Sequence, residues 1–311
     1  MFFQTPTLMH TLNRRGFIKT SAALVAAATP LTSALSTLGA DATKKRALKK
    51  AVNLGMIEGK GSVMDKFKLA KDLGFDGLEV GGPNEPKKDE IIKASEATGL
   101  GIAGVMNSVH WKDTLSDPDA SVRARGLEGL KACLRDCKDY HCTSVLLVPA
   151  VVNKTVSYAD AYTRSQAEIK KAVPLAEELG VKIAVENVWN QFLLSPLEAA
   201  RYVDEFNSPA VGWHFDVGNI VNYGFPDQWV RILGKRILKV HVKEFSRKRR
   251  DKEGLWKGFE VELLEGDCDW PAVMKAFDDI GYHDWLIAEI GGGGADRLKT
   301  IAELMDKIIA S

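Results

Sequence analysis

From residue 51 onward, short apolar runs alternate with longer stretches in which apolar residues recur every three or four positions. The short runs, 51–55, 77–80, 101–106, 144–148, 181–186, 211–216, 237–241 and 285–289, are rich in Val, Ile and Leu on both faces, as strands buried on both sides should be. The intervening stretches predict helices over 63–73, 88–98, 121–140, 158–179, 196–206, 228–233, 270–280 and 295–310. Several close on glycine, at Gly74, Gly99, Gly180 and Gly281, where a left-handed residue ends a helix without steric cost. Asp269 followed by Trp270 and Pro271 supplies an N-cap acid with proline in the first turn. Eight strands alternating with eight helices predict an α/β fold, a (β/α)8 barrel. The doubly wound open sheet is the rival, but no GxGxxG follows the first strand.

The first residues do not join this pattern. Asn13-Arg14-Arg15-Gly16-Phe17-Ile18-Lys19 is a twin-arginine pattern, followed by an uncharged, Ala-rich stretch broken by Pro30. Its modest hydrophobicity reads as an export leader rather than a membrane span. Cleavage near Ala40 or after Ala42 divides the chain into a leader over 1–42 and one catalytic barrel over 43–311. The expected location is therefore periplasmic or otherwise exported, with the twin-arginine translocon as a partner in transit and no stable membrane insertion afterwards. Losing Arg14, Arg15 and Lys19 moves the formal net charge from +1 to about −2, which offers no footprint for nucleic acid. The basic run Arg247-Lys248-Arg249-Arg250 precedes acids and reads as a solvated loop. Four cysteines, Cys133, Cys137, Cys142 and Cys268, are too few for a disulfide framework and are expected as buried thiols.

Candidate chemistry sits at the ends of the last four strands, on Glu186, Asp216, His241 and Glu289. Barrel chemistry belongs at the carboxyl ends of the strands, so these four converge on one rim. Three carboxylates and one imidazole suit a hard or borderline divalent cation, and acids inside apolar runs are costly unless paired or metal-bound. His214 lies on the same face as Asp216, two residues deeper, and reads as a core histidine behind the ligands. Glu79, His110, Trp111, Asn219, Lys243 and Arg247 share the rim and are the expected substrate contacts.

Ala184-Val-Glu-Asn187, Phe215-Asp-Val-Gly-Asn219, Val240-His-Val-Lys-Glu244 and Ile287-Ala-Glu289 resemble the xylose-isomerase-like TIM barrels, in the sugar phosphate isomerase and epimerase group. The stretch from Glu186 to Glu198 is similar to the hexulose-phosphate and pentulose-phosphate branch. The resemblance implies one divalent cation, Mn²⁺ first, with Mg²⁺, Co²⁺ or Zn²⁺ as alternatives, held by Glu186, Asp216, His241 and Glu289. It also implies that Arg247, in the pattern His241-x-x-Glu244-x-x-Arg247, touches substrate oxygens. Two positions depart from the ketose 3-epimerases: Asn219 stands where they have histidine, and Phe192 where they have an acid. The histidines that a three-zinc endonuclease of this superfamily would need are missing.

The expected activity is that of a metal-dependent sugar isomerase or epimerase acting through an enediolate on a ketose, ketose phosphate or related keto-sugar. Glu186 and Glu289 serve as acid and base, and Glu244 orients His241. Exported 3-keto-glycoside lyase is the alternative, and a non-catalytic sugar-binding barrel the third reading. A homo-oligomer is left open.

Overall fold

The computed structural model describes residues 46–83 and 87–311. The twin-arginine pattern and the rest of the expected leader lie outside the described residues. Among the described residues, no helix is long and apolar enough to cross a membrane.

Eight parallel strands close into a barrel in sequence order. They are β1 (Lys49–Asn53), β2 (Gly77–Gly82), β3 (Gly101–Asn107), β4 (Ser144–Leu147), β5 (Lys182–Val185), β6 (Val211–Asp216), β7 (Ile237–Val242) and β8 (Trp285–Ala288). Closure is made by β1 against β8, with Lys49 level with Trp285 and Val52 with Ala288. The helices are α1 (Val63–Asp72), α2 (Lys88–Thr98), α3 (Ala120–Asp139), α4 (Tyr158–Leu179), α5 (Pro196–Asp204), α6 (Val217–Val221), α7 (Pro226–Leu233), α8 (Arg247–Glu253), α9 (Trp270–Ile280) and α10 (Ala295–Ala310). This is the expected (β/α)8 architecture.

Local chemistry explains the element ends. Ser62 and Asp65 form a reciprocal capping box on α1, an arrangement that typically stabilises a helix by about 1 kcal/mol. Gly99, Gly180 and Gly281 adopt left-handed conformations at the ends of α2, α4 and α9. On the side of the barrel away from the strand carboxyl ends, the fully buried Lys239 is held by Asp284 at 2.7 Å and Thr143 at 2.8 Å.

Three expectations need correction. Arg247–Glu253 is not a loop but α8, started by Ser246, whose side chain accepts from the Arg249 N–H. The short α6 was also absent from the sequence reading; Asp216 caps it by accepting from the Asn219 N–H. Cys137 and Cys142 are joined as a disulfide, leaving Cys133 and Cys268 as buried thiols. Their five-residue separation spans the turn after α3, which carries Cys142 back onto the end of that helix.

Candidate metal centre

Strands β5 to β8 each bring one candidate oxygen or nitrogen ligand to the same point. Glu186 follows β5, Asp216 ends β6, His241 lies near the end of β7 and Glu289 follows β8. One atom from each of the four lies within 4.8 Å of all the others. Glu186, Asp216 and His241 are buried, while the Glu289 side chain keeps 32 % exposure and faces the opening.

The charges of this cluster perturb one another. Burial pushes the Glu186 carboxyl up to about 7 against the pull of His241. Burial likewise raises Asp216, although Lys243 opposes it. Burial disfavours the Glu289 anion too, but there Lys243 and His241 outweigh it and hold its carboxyl well below the ordinary value. His241 resists its own burial because Glu79 and Glu289 surround it, and its ring stays protonated well above the ordinary histidine value in the metal-free protein.

Whether this set fits a cation is decided by what its atoms lack. Glu186 Oε1, Asp216 Oδ2 and His241 Nδ1 are all buried and make no well-formed hydrogen bond, although Asp216 Oδ2 is ion-paired to Lys243 at 2.8 Å and His241 Nδ1 to Glu289 Oε2 at 3.0 Å. Polar atoms in that state are costly, and three of them converging on one point match the demand of a divalent ion for oxygen and imidazole donors. The residues fit the ion.

His241 is turned toward that point from behind. Its Nε2 contacts Glu79 Oε1 at 3.2 Å and Oε2 at 3.1 Å, and the Asn53 amide donates to Glu79 Oε2 at 3.0 Å. A carboxylate on one ring nitrogen fixes the ring and leaves the other for a metal. Glu79, expected among the substrate contacts, is fully buried and paired with His241. Glu244, expected in that role, turns away. It accepts from the Leu264 N–H, the Cys268 N–H and the Trp270 indole N–H, and so binds the loop before α9 to the end of β7. His214 packs edge-on against His241 with ring centroids 4.0 Å apart, and burial and the neighbouring His241 keep it neutral.

The other rim residues divide. The Arg247 guanidinium donates to the carbonyls of Val221 and Gly224 and stacks on Phe225, and so braces the loop after α6. Lys243 reaches inward, 2.8 Å from Asp216 Oδ2 and 2.6 Å from Glu289 Oε2, and not outward to a sugar. His110 accepts the Val148 N–H at Nδ1, and burial lowers its pKa to about 4, leaving a neutral ring. Trp111, half exposed, lies edge-on against His110. Asn219 accepts the Trp189 indole N–H, and its own amide nitrogen is buried without a partner. Asn187, next to Glu186, has both amide atoms buried and unpartnered; the sequence places it at the rim but gives no sign of that.

Residues 67–310 match the family model described as xylose isomerase-like TIM barrel. The L-ribulose-5-phosphate 3-epimerase UlaE of Escherichia coli O1:K1 is 24 % identical over 231 residues, covering 70 % of this chain and 78 % of that one. In solved structures the fold matches a D-tagatose 3-epimerase-like protein with a TM-score of 0.72 at 17 % identity, covering 85 % of this chain and 97 % of the other. It also matches the 3-keto-D-glucoside 4-epimerase YcjR of E. coli with a TM-score of 0.70 at 15 % identity, covering 85 % and 100 %.

Proposed function

Since the chain belongs to the xylose isomerase-like TIM barrel family, we propose that it is a divalent-metal-dependent sugar epimerase or isomerase that moves a proton at the carbon beside a carbonyl. The observation that carries this reading is the four-residue cluster of Glu186, Asp216, His241 and Glu289, whose buried atoms converge on one point with no well-formed hydrogen bond at three of them. The relatives compared are epimerases of ketoses, ketose phosphates and a keto-glucoside, which favours epimerisation over the lyase alternative.

Glu186, Asp216, His241 and Glu289 would hold the ion, with Mn²⁺ the first choice. When bound, it supplies a Lewis-acid charge that stabilises negative charge developing on a substrate oxygen. The chain itself moves the proton. Glu289, facing the opening, takes the proton from one face of the substrate, and Glu186 returns a solvent-derived proton to the other face of the enediolate. Glu79 fixes His241, and His110 and Asn219 offer neutral polar contacts to sugar hydroxyls.

The twin-arginine pattern supports export of an already folded protein with residues 1–42 as its leader, and the disulfide accords with an oxidising compartment. Sugar phosphates are largely retained in the cytoplasm, so a free keto-sugar or keto-glycoside is the favoured substrate. The test is incubation of Mn²⁺-loaded protein in D₂O with free ketoses, ketose phosphates and 3-keto-glucosides. Deuterium entering beside the carbonyl, with loss of activity on chelation, is the expected result. Lack of exchange with every substrate, or exchange indifferent to a chelator, would sink the proposal. Fractionation of the cells that make the protein tests its location separately.

A further inference from the structure

Lys243, the first residue beyond β7, is the only cation other than His241 that reaches the four-residue cluster among the described residues. Its ammonium bridges Asp216 and Glu289, one buried carboxylate and one that faces the opening. The side chain is guided along its length. A Cβ at Gly218, in the first turn of α6, would lie 2.8 Å from Lys243 Cγ and 2.9 Å from its Cβ and carbonyl carbon, so only glycine leaves the stem room. The ring of Phe259 faces the ammonium at 5.8 Å. Lys243 and Glu289, at 19 % and 32 % side-chain exposure, form the open side of a centre whose other members are buried. Two of the ion's four protein ligands are therefore occupied by a tethered charge that approaches from the side on which an ion must enter.

We propose that Lys243 is a built-in stand-in for the metal: it neutralises the carboxylates of the metal-free protein and must be displaced from Asp216 and Glu289 when the ion binds. This rests on the cluster being a divalent-cation site. Three carboxylates around one point repel one another, and the tethered charge of Lys243, beside that of His241, lets the barrel hold them together before any ion arrives. The same charge then competes with the ion, which must break two ion pairs and accept a cation nearby. Removing Lys243 should therefore tighten metal binding while weakening the metal-free fold. A merely structural or substrate-binding lysine would not produce this opposition.

The experiment compares the metal-stripped wild type with Lys243→Met. Mn²⁺ affinity is measured by calorimetry, and thermal melting with and without Mn²⁺. The variant is expected to bind Mn²⁺ at least about tenfold more tightly. Its metal-free form should melt below the wild type, while the loaded forms converge. Unchanged or weaker affinity, or unchanged melting of the metal-free form, overturns the inference while leaving the metal site standing. A wild type that binds no Mn²⁺ overturns both. If Lys243→Met does not fold alone, Mn²⁺ added during refolding should rescue it; failure to fold even then shows a role other than the one proposed.

Discussion

Replacing Glu79 by Gln isolates the contact that aims His241 at the metal centre. The carboxylate is fully buried and reaches His241 Nε2 at 3.1 Å across the barrel interior. At an effective dielectric of about 20, unit charges at that distance attract by roughly 5 kcal/mol, an upper figure because keeping both groups from water offsets most of it. What survives as metal affinity is the orienting effect, for which loss of such a partner typically weakens binding about 10- to 100-fold. That corresponds to about 1.4–2.7 kcal/mol. A second effect runs the other way: without Glu79 the ring gives up its proton more easily, which helps the ion at lower pH. The orienting loss is therefore read at the most alkaline pH at which the protein stays folded, where that proton competes least, by calorimetric titration with Mg²⁺ or Mn²⁺. Affinity within about twofold of wild type there would refute the claim that Glu79 positions His241.

Ion uptake should also release protons, because His241 is held protonated above its ordinary pKa in the metal-free protein and Glu186 is pushed up to about 7. Affinity should fall as pH drops through neutrality; binding heats that do not vary between buffers of different ionisation enthalpy would contradict this. Burial holds His110 at about 4 against an ordinary 6.5, so the unfolded chain binds the proton first and stability is lost as pH falls from 6.5 towards 4. That loss can reach about 3 kcal/mol. His110→Gln, which still accepts the Val148 N–H, should flatten the decline in urea-unfolding free energy across the window, and an unaltered slope would rule the group out. Gly266→Ala places a Cβ against Glu244 Oε1 and 2.6 Å from the Phe245 carbonyl. It should cost about 1–3 kcal/mol by crowding the carboxylate that ties down the loop before α9, and an unshifted melting temperature would show that the loop yields freely.

The strand pattern and the four-residue cluster were legible because burial on both faces leaves near-continuous apolar runs, and an acid at the end of such a run stands out. Roles behind the ligands were not. Glu244 is three residues from His241, which made it the natural partner in sequence, yet β7 ends at Val242 and the chain then bends Glu244 toward Leu264, Cys268 and Trp270. Glu79 is 162 residues away and meets His241 only because the barrel closes. Its one local sign was a charge inside the apolar stretch of β2, a residue that needs some partner without indicating which. Arg247 matched a motif, but its guanidinium is held by the backbone of residues 221 and 224, a contact set by the short α6 that periodicity cannot detect.

The division of labour between the two halves of the barrel bears on how the chain matures. All four residues of the candidate metal cluster lie at the carboxyl ends of β5 to β8, while the group that aims the histidine comes from β2. A chain whose second half has formed alone would gather the carboxylates but leave the imidazole free to turn. Full aim of the imidazole at the cluster thus waits on the meeting of β2 with β7, a long-range event and among the slow ones in folding. In a protein exported folded, as proposed above, ion capture would act as a proofreading step on the closure of the barrel.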